Sequence, residues 1–144
     1  MSHIERATKL FTDGYNCAQA TAAAFAENYG LRHDDVVKMA AGFGAGIART
    51  QRICGACSGA VMLIGCRHHD EGDVKASKAR VYEIVRAFLE EFRTLHGSTE
   101  CRALMGVDLN TEEGMAEAKA NRLFEVKCER FVIDAGNLAE KYLR

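Results

Sequence analysis

Apolar residues along most of this sequence recur at the spacing of an α-helix. The longest such stretch lies between Asp73 and Gly97, where the apolar positions fall on one helical face. They are Val81, Ile84, Val85, Phe88, Phe92 and Leu95. A similar face runs from Phe131 to Tyr142, and no segment has the sustained alternation of a strand. We therefore predict an all-α protein, a helical bundle folded as a single domain over residues 1–144.

Polar residues that cap helices separate these apolar stretches. Ser2 is followed three residues later by Glu5, and Asn16 by Gln19, which is the spacing of a capping box. We expect helices over about residues 2–12, 16–30, 34–42, 54–67 and 73–97, a short helix capped by Ser98, one beginning at Asn110 and a last helix over the 131–142 face. The sequence has no proline, which agrees with helices joined by short glycine or polar turns.

Composition and charge narrow the class of protein. The 144 residues are 48% hydrophobic and 27% charged, which is ordinary for one globular domain. The formal net charge is -1, so we expect no binding to nucleic acid or to an anionic membrane. The longest apolar run, Ala60–Ile64, is too short to cross a bilayer, and residues 2–6 begin a helix, not a signal peptide. We expect a cytoplasmic protein, and the apolar faces of several helices predict a homo-oligomer, at least a dimer.

The strongest chemical signal is the segment Cys54-Gly55-Ala56-Cys57-Ser58-Gly59. Cys54 and Cys57 are three residues apart and share one face of the predicted helix. In the first turn of a helix, unpaired N–H groups and the positive end of the dipole stabilise a thiolate. We therefore interpret Cys54 and Cys57 as candidate catalytic thiols. The alternative is that both are ordinary buried cysteines in a tightly packed helix, where Gly55 and Gly59 let another backbone approach closely.

Three further cysteines also lie near predicted helix starts. Cys17 follows the cap Asn16, Cys101 stands three residues after Ser98, and Cys128 precedes the last apolar face. Cys66 lies nine residues after Cys57, about half a turn out of phase, and we interpret it as structural and buried. The run Gly42-x-Gly44-x-Gly46 lacks the strand and the final glycine of a nucleotide loop, so we expect it to let the backbone pass close to the cysteines.

Four of these cysteines, with their neighbours, carry a family resemblance. Cys17 stands in Gly14-Tyr15-Asn16-Cys17-Ala18-Gln19-Ala20, Cys54 opens Cys-Gly-Ala-x-x-Gly, and Cys101 and Cys128 follow. The sequence resembles the C_GCAxxG_C_C family, which is described as redox-active, over nearly its whole length. The resemblance implies a redox or metal-binding role for Cys17, Cys54, Cys101 and Cys128. Cys57 and Cys66 depart from the family pattern.

Three functions follow from these observations. The first is a site in which Cys17, Cys54, Cys101 and Cys128 bind an iron–sulfur cluster, or a zinc ion, for electron transfer with a redox partner protein. The second is a metal-free thiol–disulfide redox protein, in which Cys54 attacks and Cys57 or another cysteine resolves. The third is a non-catalytic helical dimerisation module whose cysteines are merely buried.

Overall fold

The computed structural model describes all residues from Met1 to Arg144 and contains eight α-helices. They are α1 (His3–Thr12), α2 (Cys17–Phe25), α3 (His33–Ala40), α4 (Gly55–His68), α5 (Val74–His96), α6 (Cys101–Met105), α7 (Glu112–Ala120) and α8 (Glu129–Tyr142). Short 3-10 turns cover Ala26–Tyr29 and Ala41–Phe43, and a π-helical turn covers Phe124–Cys128. No strand forms, and Ile53 and Glu100 make one isolated antiparallel bridge. The predicted all-α class is confirmed. None of the helices combines the length and the apolar character that crossing a membrane requires.

Capping side chains fix three helix starts where the sequence placed them, at Ser2, Asn16 and Asp73. The amide of Glu5 donates to Ser2 Oγ at 3.0 Å, and Glu5 in turn accepts from the Ser2 amide. The amide of Gln19 donates to Asn16 Oδ1 at 2.9 Å in the same reciprocal arrangement. Both capping boxes are therefore confirmed, and the second one sets Cys17 as the first residue of α2.

The predicted start of the short helix at Ser98 is wrong. Ser98 Oγ accepts a hydrogen bond from the Glu100 amide at 2.9 Å, which closes a local turn and does not cap a helix. The helix α6 begins at Cys101, with Glu100 at the capping position. Cys101 is thus the first residue of its helix and not the third.

The predicted start at Asn110 is displaced by one residue. Thr111 Oγ1 accepts from the Gly114 amide at 2.9 Å and caps α7. The side chain of Asn110 instead donates to the carbonyl of Arg49 at 2.7 Å. The Asn110 side chain therefore bonds to a distant backbone carbonyl and does not cap the helix, contrary to the prediction from its local spacing.

Small side chains put α2 at the centre of the bundle. Nearly every residue of this helix is buried, and the buried ones are Ala18, Ala20, Thr21, Ala22, Ala23, Ala24 and Phe25. Because most are alanine, neighbouring helices can approach α2 from several sides, and α1, α3, α4 and α8 all pack on it. The larger side chains Phe25, Phe88 and Phe92 fill the space between helices, and burial of each contributes roughly 1.5–3 kcal/mol.

Two glycines of α4 bring its backbone against α2. A Cβ atom added at Gly59 would lie 2.8 Å from the carbonyl oxygen of Ala18. One added at Gly55 would overlap Cys17 Sγ and lie 2.9 Å from the carbonyl oxygen of Phe43. The predicted close approach at these glycines is confirmed, and it places the start of α4 directly against the start of α2.

The buried side chains form two separate clusters that meet near the cysteines. The main cluster includes Cys54, and Cys17 packs against it. The smaller cluster, formed by α6, α7 and the loop between them, includes Cys101, and Cys128 packs against it. The four cysteines therefore lie where the two clusters adjoin.

We expect Gly55→Ala to lower the free energy of unfolding by about 1–3 kcal/mol, because the new methyl group would overlap Cys17 Sγ between two packed backbones. Gly65→Ala is the matched control in the same helix. No atom outside its own helix lies within 4 Å of the position where its Cβ would stand. This change should therefore stabilise the protein by up to about 1 kcal/mol, because alanine has the higher helix propensity. Urea denaturation of both variants tests the prediction, and equal stabilities would contradict it.

Candidate functional site

One cavity of about 340 Å³ is lined by Cys17, Cys54, Cys101 and Cys128. Its other walls are mostly apolar and include Phe11, Leu104, Met105, Leu109, Phe124 and Phe131. Asn16 and Arg49 are the polar side chains on its lining, and no histidine or carboxylate contributes to it. The structure thus brings together the four cysteines of the family resemblance.

Cys17 is the first residue of α2 and reaches the cavity beside Gly55. Burial raises the pKa of its thiol to about 11, and negative charge on Cys54 acts in the same direction. Amide groups of Ala45 and Ala18 oppose this rise by donating to the sulfur. Cys17 is therefore a neutral thiol at neutral pH. The N–H donors beside its sulfur would stabilise a thiolate if one formed.

Cys54 holds the capping position of α4, and its backbone has not yet entered the helix. Its pKa is lowered, first by a hydrogen bond from the thiol of Cys57 and then by the amides of Ala56 and Cys57. These donors outweigh the burial of Cys54, which is only 5% exposed. Among the six cysteines, Cys54 alone has a lowered pKa, so it is the strongest thiolate candidate.

Cys57 lies behind Cys54 and not on the cavity wall. It is fully buried, and the hydrogen bond it donates to Cys54, together with burial, raises the pKa of its own thiol. The sequence placed both cysteines on one helical face, whereas the structure gives them different surroundings. Cys54 faces the cavity, and Cys57 supports it from the helix interior.

Cys101 and Cys128 also line the cavity. Burial raises the pKa of Cys101 to about 12, with Cys54 adding to the rise. Burial also raises the pKa of Cys128, whose Sγ lies 3.5 Å from Met105 Sδ. Like Cys17, both are neutral thiols at neutral pH in this arrangement.

Cys66 lies apart from the other cysteines, as its helical phase predicted. It belongs to a separate shallow groove with Met62 and His69. The expectation that Cys66 is buried is wrong, because its side chain is exposed near the end of α4. Partial loss of solvent still raises its pKa.

A left-handed turn forms one wall of the cavity. Ala45, Gly46, Ile47, Ala48 and Arg49 all have positive φ angles, between 51° and 69°. Such a conformation costs roughly 1–2 kcal/mol for each residue other than glycine. The run Gly42-x-Gly44-x-Gly46 leads into this turn, and Gly44 lies against Asn16 with no room for a side chain. As predicted, the glycine-rich segment carries the backbone close to the cysteines.

Gln51 is a residue next to the cavity that sequence reasoning missed. Its side chain is 4% exposed and connects Cys101 and Leu109, which line the cavity, with Val107 beside them. Gln51 Nε2 donates to the carbonyl of Val107 at 3.0 Å and lies 3.9 Å from Cys101 Sγ. Gln51 Oε1 accepts from the Leu109 amide at 2.9 Å. A glutamine in a loop has no periodic or spacing signal, so only the fold reveals this role.

Backbone hydrogen bonds fix Cys54 and Cys101 beside each other. The Cys54 amide donates to the carbonyl of Thr99 at 2.7 Å, and the Cys101 amide donates to the carbonyl of Arg52 at 2.7 Å. The loops before α4 and α6 therefore cross as a short antiparallel pair. The amide of each cysteine is therefore bonded to a carbonyl that lies two residues before the other cysteine.

The fold and the cavity define an all-helical protein with a pocket lined by four cysteine thiols. The model of the C_GCAxxG_C_C family, described as "Putative redox-active protein", matches residues 15–142, and the chain belongs to this family. The resemblance drawn from the cysteine pattern is thereby confirmed. Neither a curated protein nor a solved structure matches the chain.

We expect Gln51→Met to lower the free energy of unfolding by about 2 kcal/mol or more, because it leaves the Val107 carbonyl and the Leu109 amide without their partner. Arg52→Met is the matched control, since the Arg52 side chain is exposed and adjacent in the chain. Chemical denaturation of the two variants measures the difference. A Gln51→Met protein as stable as Arg52→Met would show that the glutamine does not hold the wall.

Proposed function

We propose that this protein transfers electrons through an iron–sulfur cluster bound by Cys17, Cys54, Cys101 and Cys128. The observation that carries the proposal is that these four thiols line one apolar cavity without any carboxylate or imidazole. Thiolates are the usual ligands of such clusters, and four of them complete a two-iron or four-iron cluster.

The arrangement of the sulfurs favours a cluster over a single zinc ion. A tetrahedral zinc ion lies about 2.3 Å from each of its sulfur ligands, so the ligands must nearly touch one another. No three cysteine, histidine or acidic side chains are close enough to hold one ion. A cluster separates its ligands by a body of iron and sulfide, and the cavity of about 340 Å³ between the four cysteines provides that space.

The residues of this chain would set the properties of such a cluster. Amides of Ala45, Ala56 and Cys57 donate toward the sulfurs of Cys17 and Cys54, which stabilises negative charge on the ligands. The apolar walls limit access of water, and Arg49 on the cavity lining offsets negative charge. When bound, the cluster supplies one-electron oxidation and reduction.

The electron donor or acceptor is proposed to be a redox partner protein that approaches the left-handed turn. Ala48 and Arg49 of this turn, and Ala41 before it, are exposed and also line the cavity, so this segment borders both the cavity and solvent. We further propose a cytoplasmic location, because all six cysteines are free thiols and disulfides are rare in reducing compartments.

Anaerobic reconstitution with iron and sulfide tests the cluster. Iron, acid-labile sulfide and visible absorbance should all be retained by the wild-type protein after desalting. Cys54→Ser and Cys128→Ser should lose most of both elements, because each removes one of four ligands. Cys66→Ser should retain them, since Cys66 lies outside the cavity. The proposal would be overturned by a wild-type protein that retains neither iron nor sulfide. It would also be overturned if Cys54→Ser and Cys128→Ser retained as much of both as the wild-type protein.

A thiol–disulfide function is the second candidate, favoured by the paired thiols of Cys54 and Cys57. The thiol of Cys57 donates a hydrogen bond to Cys54 and lowers its pKa, which is how an attacking thiolate is prepared. In this function the Cys54 thiolate attacks a disulfide of a partner, and Cys57 then displaces the partner's thiol from the mixed disulfide.

The rate of alkylation at Cys54 in metal-free protein should half-titrate below the ordinary cysteine pKa of about 8.5. Cys57→Ala should move this midpoint to higher pH because the hydrogen bond is lost, while Cys57→Ser keeps a donor and should restore most of the shift. Mass spectrometry assigns the modified residue at each pH. A midpoint at or above about 8.5 that is unchanged in Cys57→Ala would show that Cys57 does not activate Cys54.

A further inference from the structure

The cavity contains a fifth sulfur atom that the cysteine pattern does not include. Met105 is the last residue of α6, is 2% exposed, and lines the cavity together with the cysteines. Its Sδ lies 3.5 Å from Cys128 Sγ, close enough for both atoms to contact one ion. Cys101 stands four residues before Met105 in the same short helix, so the two side chains share one face.

We propose that Cys101, Met105 and Cys128 form a site for a soft monovalent cation, of which Cu(I) is the physiological example. Thiolates and thioethers are the ligands that select Cu(I), whereas harder ions prefer carboxylates, carbonyls and imidazoles. The cavity lining has no carboxylate or imidazole to offer such ions. Zinc in proteins is bound by Cys, His and Asp or Glu side chains and not ordinarily by a thioether, so the place of Met105 among thiols favours Cu(I).

The charges of the site suit a monovalent ion. Binding converts two neutral thiols to thiolates and releases two protons to solvent, while the copper stays in the +1 state and no electron is transferred. One Cu(I) and two thiolates carry a net charge of −1, and the cationic residue Arg49 is on the same cavity lining. The ammonium of Lys127 donates to the carbonyl oxygens of Leu104 and Met105 at 3.1 and 3.4 Å, beside the site.

This inference does not depend on the cluster proposed above. Cu(I) and the cluster would both use Cys101 and Cys128, so they exclude each other in one molecule. The cluster is detected by iron and sulfide, and the copper site by competition with a Cu(I) chelator. Failure of either proposal therefore leaves the other intact.

Anaerobic titration of metal-free, full-length protein with Cu(I) in the presence of bathocuproine disulfonate tests the site. Met105→Leu keeps the shape and removes the sulfur, and it should weaken Cu(I) binding about tenfold or more. The matched control is Met115→Leu, since Met115 packs on the same small core but does not line the cavity. That variant should bind Cu(I) as tightly as wild type. Equal affinity for all three proteins would overturn the proposal.

A direct measurement covers the case in which Met105→Leu changes the fold. Protein labelled with selenomethionine and loaded with one equivalent of Cu(I) is examined at the selenium X-ray absorption edge. A copper neighbour at bonding distance from selenium, absent in the Met105→Leu variant if that variant folds, supports the site. Absence of any copper neighbour in the labelled wild-type protein overturns it, whatever the affinities are.

Discussion

The backbones of α2 and α4 approach each other closely at Gly55 and Gly59, where α4 has no side chain to separate them. This contact determines where the first two cysteines stand, because it sets the start of one helix beside the start of the other. The sulfur of Cys17 lies in the space that a side chain at position 55 would occupy. The alanines of α2 make the approach possible from the other side, since larger residues would separate the helices. The cavity is therefore a product of small residues as much as of cysteines.

Electrostatics determines the protonation of the four thiols that line the cavity. Burial in an apolar cavity disfavours thiolates, and a negative charge on one sulfur raises the pKa of the others. Only Cys54 escapes this effect, through donors from Cys57 and from the start of α4. A bound cation relieves both penalties at once, because it neutralises the thiolates and allows their protons to leave. Without a metal, Cys17, Cys101 and Cys128 are thus protonated, and Cys54 is the cysteine whose surroundings favour a thiolate.

Much of the fold follows from local sequence signals, and the site follows from them in part. Capping boxes at Ser2 and Asn16 and the apolar face of α5 are local, so they could be predicted. The role of Gln51 could not, because its partners Val107 and Leu109 lie more than fifty residues away. The same holds for the pairing of Met105 with Cys128 across 23 residues. Asn110 failed as a cap for this reason also, since a distant carbonyl competed for its side chain.

The left-handed turn at Ala45–Arg49 shows how the site constrains the fold in return. Four residues other than glycine hold positive φ angles there, which is unfavourable in isolation. Such a conformation persists only where surrounding contacts determine it. Here the Gln51 amide bonds to the carbonyl of Ala45, the Arg52 amide bonds to that of Gly46, and the Gln51 side chain fixes the turn to the small core. In exchange the turn directs the Ala45 amide at Cys17 and closes the wall that carries Arg49. An ordinary right-handed turn would direct these groups elsewhere, so the strained conformation is part of how this cavity wall is formed.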